Sequence, residues 1–116
     1  MAHPHTIDEP LWRECVAASQ KGGHVDGGVR VKLVDGNKVK IHHDMDFVEG
    51  GNGLEDKKLC GRHEILLDAH LHPSQRPFVL YHEAVERRDM LKGMSYAKAH
   101  ARANIAEKKL RVRHTK

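Results

Sequence analysis

The sequence predicts an α+β fold with an N-terminal helix, a small three-stranded sheet that includes a β-hairpin, and a C-terminal antiparallel helical hairpin. Apolar and basic residues alternate between Val29 and Ile41, which is the period of a strand. A short apolar run at 65–67 indicates a further strand. From Phe78 onward two helical stretches are separated only by the residues around Gly93, and such short connections are typical of antiparallel helices.

The composition favours one folded domain in water. Charged residues of both signs make up 31% of the chain and hydrophobic residues 39%. Since 116 residues is the usual size of a single domain, we assign 1–116 to one domain and expect 1–7 to be loose. Two cysteines are too few for the disulfide framework of a small secreted protein, and no apolar run approaches the roughly 20 residues that span a bilayer. We therefore expect a cytoplasmic protein without membrane association.

The charge pattern does not identify a binding partner. The net charge is +4, and much of the excess lies in the C-terminal EKKLRVRHTK. Such a basic surface could contact nucleic acid, although charge runs of this kind more often form a solvated helix end. The expectation is an unidentified protein or peptide partner, with homo-oligomerisation as a further alternative.

The first predicted helix begins after Asp8, which can cap it, and Pro10 suits its first turn. Its inner positions recur at helical spacing, at Leu11, Cys15 and Ala18. The glycines at 22–23 end it. The single Trp12 is expected to pin this helix to the rest of the domain, because large aromatic side chains are usually buried.

The predicted sheet follows this helix. One strand covers 29–33, a turn falls at Asp35–Gly36 or Gly36–Asn37, and a second strand covers 38–41. The glycine-containing stretch 46–62 is predicted to be an irregular loop. The third strand lies in HEILLDAHLHP, around the apolar run at 65–67.

Two helices close the chain and form a predicted helical hairpin over 78–112. The first runs from about Phe78 to Lys92, with Gly93 as its C-cap, and its Arg87 and Arg88 are expected on the solvated side. Ser95 caps the second helix, which runs to about Arg111.

Eleven histidines make the chain a candidate metal binder, and the stretch HEAVE from His82 to Glu86 is the strongest candidate. Positions four apart share one face of a helix, so His82 and Glu86 can present ligands to one metal ion. On the next helix His100 and Glu107 share a face, and either could supply the third ligand. Two imidazoles and a carboxylate suit zinc and also non-haem iron. His63, His70 and His72 are weaker candidates, as strand or loop residues at the surface.

The segment EILLDAHLHPSQRPFVLYHEAVERRDM resembles the core of minimal zincin-like metallopeptidase domains, in which a strand and a connection precede an active helix bearing H-E-x-x-H. With the following GMSYAKAHARANIAEKK it is similar to small phage-associated and bacterial proteins of unassigned function. The resemblance covers roughly the second half of the chain. It implies a metal-ligand role for His82 and a general-base role for Glu83.

The sequence departs from that family at Glu86, which stands where the zincins have their second histidine. A carboxylate there adds negative charge and weakens the metal as a Lewis acid. The function predicted from the sequence is therefore a non-catalytic or degenerate relative of the metallopeptidases that acts as a binding module. It would hold zinc, or another divalent metal such as iron or manganese, through His82, Glu86 and His100. The alternative is an active metal-dependent hydrolase with Glu83 as its general base.

Overall fold

A computed structural model describes residues 6–42, 49–54 and 60–114 of the chain. Helices and strands are mixed along these residues, as an α+β fold requires. In chain order the elements are α1 (Glu9–Ala18), β1 (Gly23–Val25), β2 (Val29–Val34), α2 (Gly36–His42), β3 (Gly50–Asn52), β4 (Glu64–Asp68), α3 (Arg76–Leu91) and α4 (Tyr96–His114). None of the helices in the described part of the chain is long and apolar enough to cross a membrane.

The strands form one mixed sheet in the order β1-β2-β4-β3. The central pair, β2 and β4, is parallel, and both edge strands run antiparallel to their neighbours. The α+β class predicted from the sequence is confirmed. The sheet has four strands among the described residues, rather than the three that were predicted.

The prediction of a strand at 38–41 is wrong, because these residues belong to α2. The side chain of Asp35 accepts hydrogen bonds from the backbone N–H groups of Asn37 and Lys38, at 3.0 and 3.4 Å, and thereby caps the helix. Val39 packs against Leu66 on the sheet face. The β-hairpin exists one strand earlier, between β1 and β2, where the turn residues 26–28 all have positive φ.

The edge strand β3 lies inside the stretch that was predicted to be a loop. It pairs antiparallel with β4, with Asn52 opposite Ile65. A side chain at its first residue would be crowded, because a Cβ atom on Gly50 would lie 3.1 Å from the carbonyl oxygen of Leu66, 3.3 Å from Cγ1 of Val79 and 3.4 Å from Cγ of Glu83. This close approach brings β3 against α3 and places Asn52 beside the helix that carries HEAVE.

The main core lies between the sheet and the helices α1, α3 and α4. Its fully buried members include Leu11, Cys15, Ile65, Leu67, Leu80 and Leu110. Trp12 packs against this core as predicted, with its ring centroid 5.1 Å from that of Phe78. The predicted cap is also confirmed, since Asp8 accepts a hydrogen bond of 3.1 Å from the backbone N–H of Leu11. Of the N-terminal residues expected to be loose, 1–5 lie outside the described residues, and Ile7 packs on the core.

The predicted helical hairpin is confirmed. Gly93 ends α3 with a φ of +96°, and the side chain of Ser95 accepts a hydrogen bond from Lys98 N at 3.3 Å at the start of α4. The order of the contacts is antiparallel: Glu107, the later residue in α4, contacts His82, whereas His100 contacts Glu86, which is later in α3. The α4 residues that face inward include three buried alanines, Ala99, Ala103 and Ala106. Small side chains at these positions let the two helix axes approach closely.

The prediction that Arg87 and Arg88 lie on a solvated side is wrong. Arg87 is only 3% exposed, and its Nε donates to the carbonyl oxygen of Arg62 at 3.1 Å. Arg88 forms ion pairs with Asp8 and Asp26 at 2.9 and 2.8 Å. The helix α3 is enclosed by the sheet, α1 and α4, so most of its circumference, and not one stripe, is covered.

Candidate metal centre

The HEAVE stretch of α3 and the second turn of α4 bring three potential metal ligands together. The Oε2 atom of Glu86 lies 3.2 Å from Nε2 of His82 and 2.8 Å from Nδ1 of His100. The three ligand atoms all lie within 4.8 Å of one another, so this group could hold a metal ion. The structure thus brings His82 and Glu86 together with His100, one of the two third ligands that the sequence had left open.

The site is deep at one end and open at the other. Glu86 is 1% exposed and His82 is 6% exposed, whereas the side chain of His100 is 43% exposed. The ring of Tyr96 stacks on that of His100 with a centroid distance of 5.4 Å, and its hydroxyl lies 3.5 Å from Nδ1. Solvent and any ligand therefore reach the group from the side of His100 and Tyr96.

Glu107, the alternative third ligand, lies on the other side of the His82 ring. Its Oε1 atom is 2.9 Å from Nδ1 of His82, whereas Nε2 of that ring faces Glu86. The carboxylate lies off the N–H direction, so this contact is electrostatic and not a well-directed hydrogen bond. Glu107 is therefore placed to orient the imidazole from behind and not to share a metal ion with it.

Glu107 is itself held from the C-terminal part of α4. The Nε atom of Arg111 donates to Oε2 of Glu107 at 2.8 Å. The guanidinium of Arg111 lies 4.6 Å from the centre of the Phe78 ring and also contacts Gln75 at the start of α3. These contacts connect the start of α3 and the C-terminal part of α4 to the His82 ring through Glu107.

The charges of the group stabilise one another. Burial by itself would lower the pKa of His82, but the contacts with Glu107 and Glu86 outweigh it and raise that pKa to about 10. Burial would likewise raise the pKa values of Glu86 and Glu107, but their imidazole and guanidinium partners hold both below the ordinary carboxyl value. Without a bound metal, the group is thus a network of ion pairs centred on a protonated His82.

Glu83, the predicted general base, lies beside this group and is 7% exposed. The amide Nδ2 of Asn52 donates to Oε1 of Glu83 at 3.3 Å and to Oε1 of Glu86 at 3.2 Å. One amide group therefore links the predicted base to the predicted carboxylate ligand.

Asn52 was not among the site residues predicted from the sequence. Asn52 is fully buried and lies in β3, a strand of only three residues in a stretch that was taken for a loop. Its flanking glycines were the available signal, because glycine in a strand often marks a close backbone approach. Nothing in the spacing related that stretch to the helix.

The weaker histidine candidates lie outside the group and have other partners. His63 accepts a hydrogen bond at its Nδ1 from Arg87, at 3.1 Å. His70 lies 3.3 Å from Asp35, and His72 contacts Ser74 at 2.7 Å. The structure brings none of these three rings into the His82 group.

Comparisons with known proteins identify no relative of this chain: no family model, no curated protein and no solved structure matches it. The function must therefore be inferred from the geometry and chemistry of the residues.

Proposed function

We propose that this protein is a metal-binding module, a small zincin-like domain in which His82, Glu86 and His100 hold a zinc ion. The proposal rests on three ligand atoms that two helices bring within 4.8 Å of one another. Two imidazoles and one carboxylate form a donor set used by zinc, and also by non-haem iron, so iron and manganese are the competing metals.

The contacts behind the ligands support a metal site. Ligating histidines commonly direct their second ring nitrogen at a carboxylate, which fixes the ring. In His82, Nε2 faces Glu86, and the Glu107 carboxylate lies 2.9 Å from Nδ1 but off its N–H direction. The carboxylate of Glu86 is in turn held by Asn52.

The charge of the site favours a non-catalytic, degenerate relative of the metallopeptidases. Glu83, Glu86 and Glu107 place three carboxylates around two imidazoles. Arg111 already pairs with Glu107, and a divalent cation bound to neutral imidazoles would balance the charges of Glu83 and Glu86. A metal surrounded by so much negative charge is a weak Lewis acid, which suits a structural role better than hydrolysis. In such a module the metal would fix α4 against α3 and leave the surface to bind a protein or peptide.

An active hydrolase is the second candidate, and the position of Glu83 favours it. Glu83 follows His82 directly in α3, and Asn52 joins its carboxylate to that of Glu86. In an enzyme Glu83 would accept the proton of an attacking water molecule, while the metal would supply charge stabilisation.

Zinc titration of metal-free protein tests the proposed site. The protein should be purified without a nickel column, because eleven histidines could retain nickel. Calorimetry should show one zinc ion per chain, and His100→Ala should abolish this binding without unfolding the protein, since His100 is partly exposed.

The matched control is His24→Ala, which removes an exposed imidazole from the edge strand β1. This variant should bind zinc like the original protein. Equal binding by all three proteins, or no binding by the original one, would contradict the proposal.

A further inference from the structure

We infer that Asn52 determines which metal the site prefers, because it restricts Glu86 to one ligand oxygen. The inference rests on the proposed metal site and adds a specificity-determining residue to it. Asn52 would act through the carboxylate of Glu86, as a positioning residue.

The orientation of the Asn52 amide follows from its contacts. Its Oδ1 atom accepts a hydrogen bond of 3.0 Å from the backbone N–H of Leu54. Since a backbone N–H can bond only to the oxygen of the amide, the NH₂ group must point the other way. It points toward α3 and donates to one oxygen each of Glu83 and Glu86.

The two oxygens of Glu86 consequently have different partners. Oε1 accepts from Asn52 at 3.2 Å, whereas Oε2 faces His82 and His100 at 3.2 and 2.8 Å. Only Oε2 is directed at the position between the imidazoles. The carboxylate therefore offers one oxygen to a metal ion.

The number of oxygen ligands discriminates between metals. Zinc is usually four-coordinate, and its ligands commonly include imidazoles. Manganese and calcium favour more oxygen ligands, and calcium often takes both oxygens of a carboxylate. Holding Glu86 to one oxygen therefore favours zinc over manganese.

The backbone on both sides of Asn52 keeps the amide in place. On one side, Gly50 allows the strand to lie against α3. On the other side, a Cβ atom on Gly53 would lie 1.7 Å from the carbonyl oxygen of Gly61, so only glycine fits this turn. Because Asn52 is also fully buried, its amide has little room to turn away from the carboxylates.

The substitution Asn52→Asp tests the inference, since it keeps the side-chain size and the acceptor for Leu54 N but replaces the donor NH₂ with oxygen. The zinc affinity should fall by about 10–100-fold, the usual effect of removing a group that holds a metal ligand. The manganese affinity should fall less, so the ratio of zinc to manganese affinity should decrease. With Co²⁺ as a spectroscopic probe, visible absorption should weaken as the coordination number rises. Asn37→Asp adds the same charge on the exposed surface of α2, and should change neither readout.

A second variant, Asn52→Ser, applies if the aspartate variant does not fold. Serine is smaller, can still accept from Leu54 N, and cannot reach both carboxylates, so its affinity ratio should shift in the same direction. A folded Asn52 variant with an unchanged ratio and an unchanged Co²⁺ spectrum would overturn the role of Asn52 and leave the metal site standing. Absence of zinc and cobalt binding by the original protein would overturn both proposals.

Discussion

The Oε2 atom of Glu86 lies 2.8 Å from Nδ1 of His100 and thereby joins α3 to α4 through a carboxylate that is 1% exposed. A buried carboxylate is stable only with partners that compensate its charge. In the metal-free protein a protonated His82 and the amide of Asn52 supply that compensation, and a divalent cation would supply it in the metal-bound protein. The metal-free and the metal-bound protein should therefore differ in their response to substitution and to pH.

Substitution of Glu107 should weaken metal binding without changing its stoichiometry. In Glu107→Gln the carboxylate behind the His82 ring is lost, but all three proposed ligands remain. Zinc affinity should fall by about 10–100-fold, the usual effect of removing a group that orients a ligand. Competition with a chelator of known affinity measures it, and Lys108→Gln on the exposed side of α4 is the control. An affinity equal to that of the original protein would show that Glu107 does not orient His82.

The effect of pH on stability should differ between the metal-free and the zinc-bound protein. Contacts with Glu107 and Glu86 raise the pKa of His82 to about 10 from an ordinary value of 6.5. A raised histidine pKa contributes stability that is fully present below the unfolded value and is lost as the pH rises through the folded value. Metal-free protein should therefore lose stability between pH 6.5 and 10.

Zinc should reverse this trend, because imidazole must be neutral to bind a metal. The increase in melting temperature caused by zinc should grow as the pH rises from 6.5 to about 9. Melting curves with chelator and with zinc, recorded over the same pH series, provide the comparison. The same pH dependence in both series would count against metal binding through His82.

Glu83→Gln separates the binding module from the hydrolase. Glu83 is not a proposed ligand, so this variant should keep its fold and its zinc. For a module the substitution should be silent, and no peptide or ester library should be cleaved above background by either protein. A general base instead contributes roughly 10²–10⁴-fold to a hydrolytic rate. Metal-dependent cleavage that Glu83→Gln abolishes would establish the enzyme.

Arg88 should stabilise the fold independently of any metal. It bridges Asp8 at the start of α1 and Asp26 in the hairpin turn. In Arg88→Met both carboxylates lose their partner, and we expect a loss of roughly 1–2 kcal/mol in the free energy of unfolding, since partial exposure screens these ion pairs. Urea unfolding in the presence of chelator measures this loss.

The control for Arg88 is Arg13→Met, which removes an exposed arginine from α1 and should change the stability by less than about 0.5 kcal/mol. Equal stability of the two variants would mean that the Arg88 ion pairs do not stabilise the fold.

The elements defined by local sequence were predicted well. The cap at Asp8, the apolar run in β4, and the glycine after α3 depend on neighbouring residues alone. The placement of His82 and Glu86 on one face of α3, opposite the face of α4 that carries His100 and Glu107, followed from the same local rules of helical spacing and a short connection.

The choice between His100 and Glu107 could not be made from the sequence. The two residues share a face of α4, but seven residues of helix separate them by about 10 Å along the axis. Their partners on α3 depend on how far the antiparallel helices are offset. In the structure His100 lies at the level of Glu86, and Glu107 at the level of His82.

The errors in the sheet have a similar origin. Alternating residues at 38–41 fit a short strand or a helical turn equally well. The cap formed by Asp35 favours the helix α2. The strand β3 contains two glycines and one buried asparagine, so it has no alternating pattern of its own. It forms because it pairs with β4, and Asn52 could only be recognised as part of the site once that pairing was known.

X-ray absorption at the zinc edge, on protein loaded with one equivalent of zinc, tests the metal site most directly. We expect two imidazole nitrogens at about 2.0–2.1 Å and one carboxylate oxygen at about 2.0–2.2 Å from the metal. In Glu86→Gln the bound zinc should be lost, whereas Glu49→Gln, at an exposed glutamate before β3, should give the original spectrum. A protein that retains no zinc, or a zinc environment that Glu86→Gln leaves unchanged, would contradict a zinc site formed by His82, Glu86 and His100.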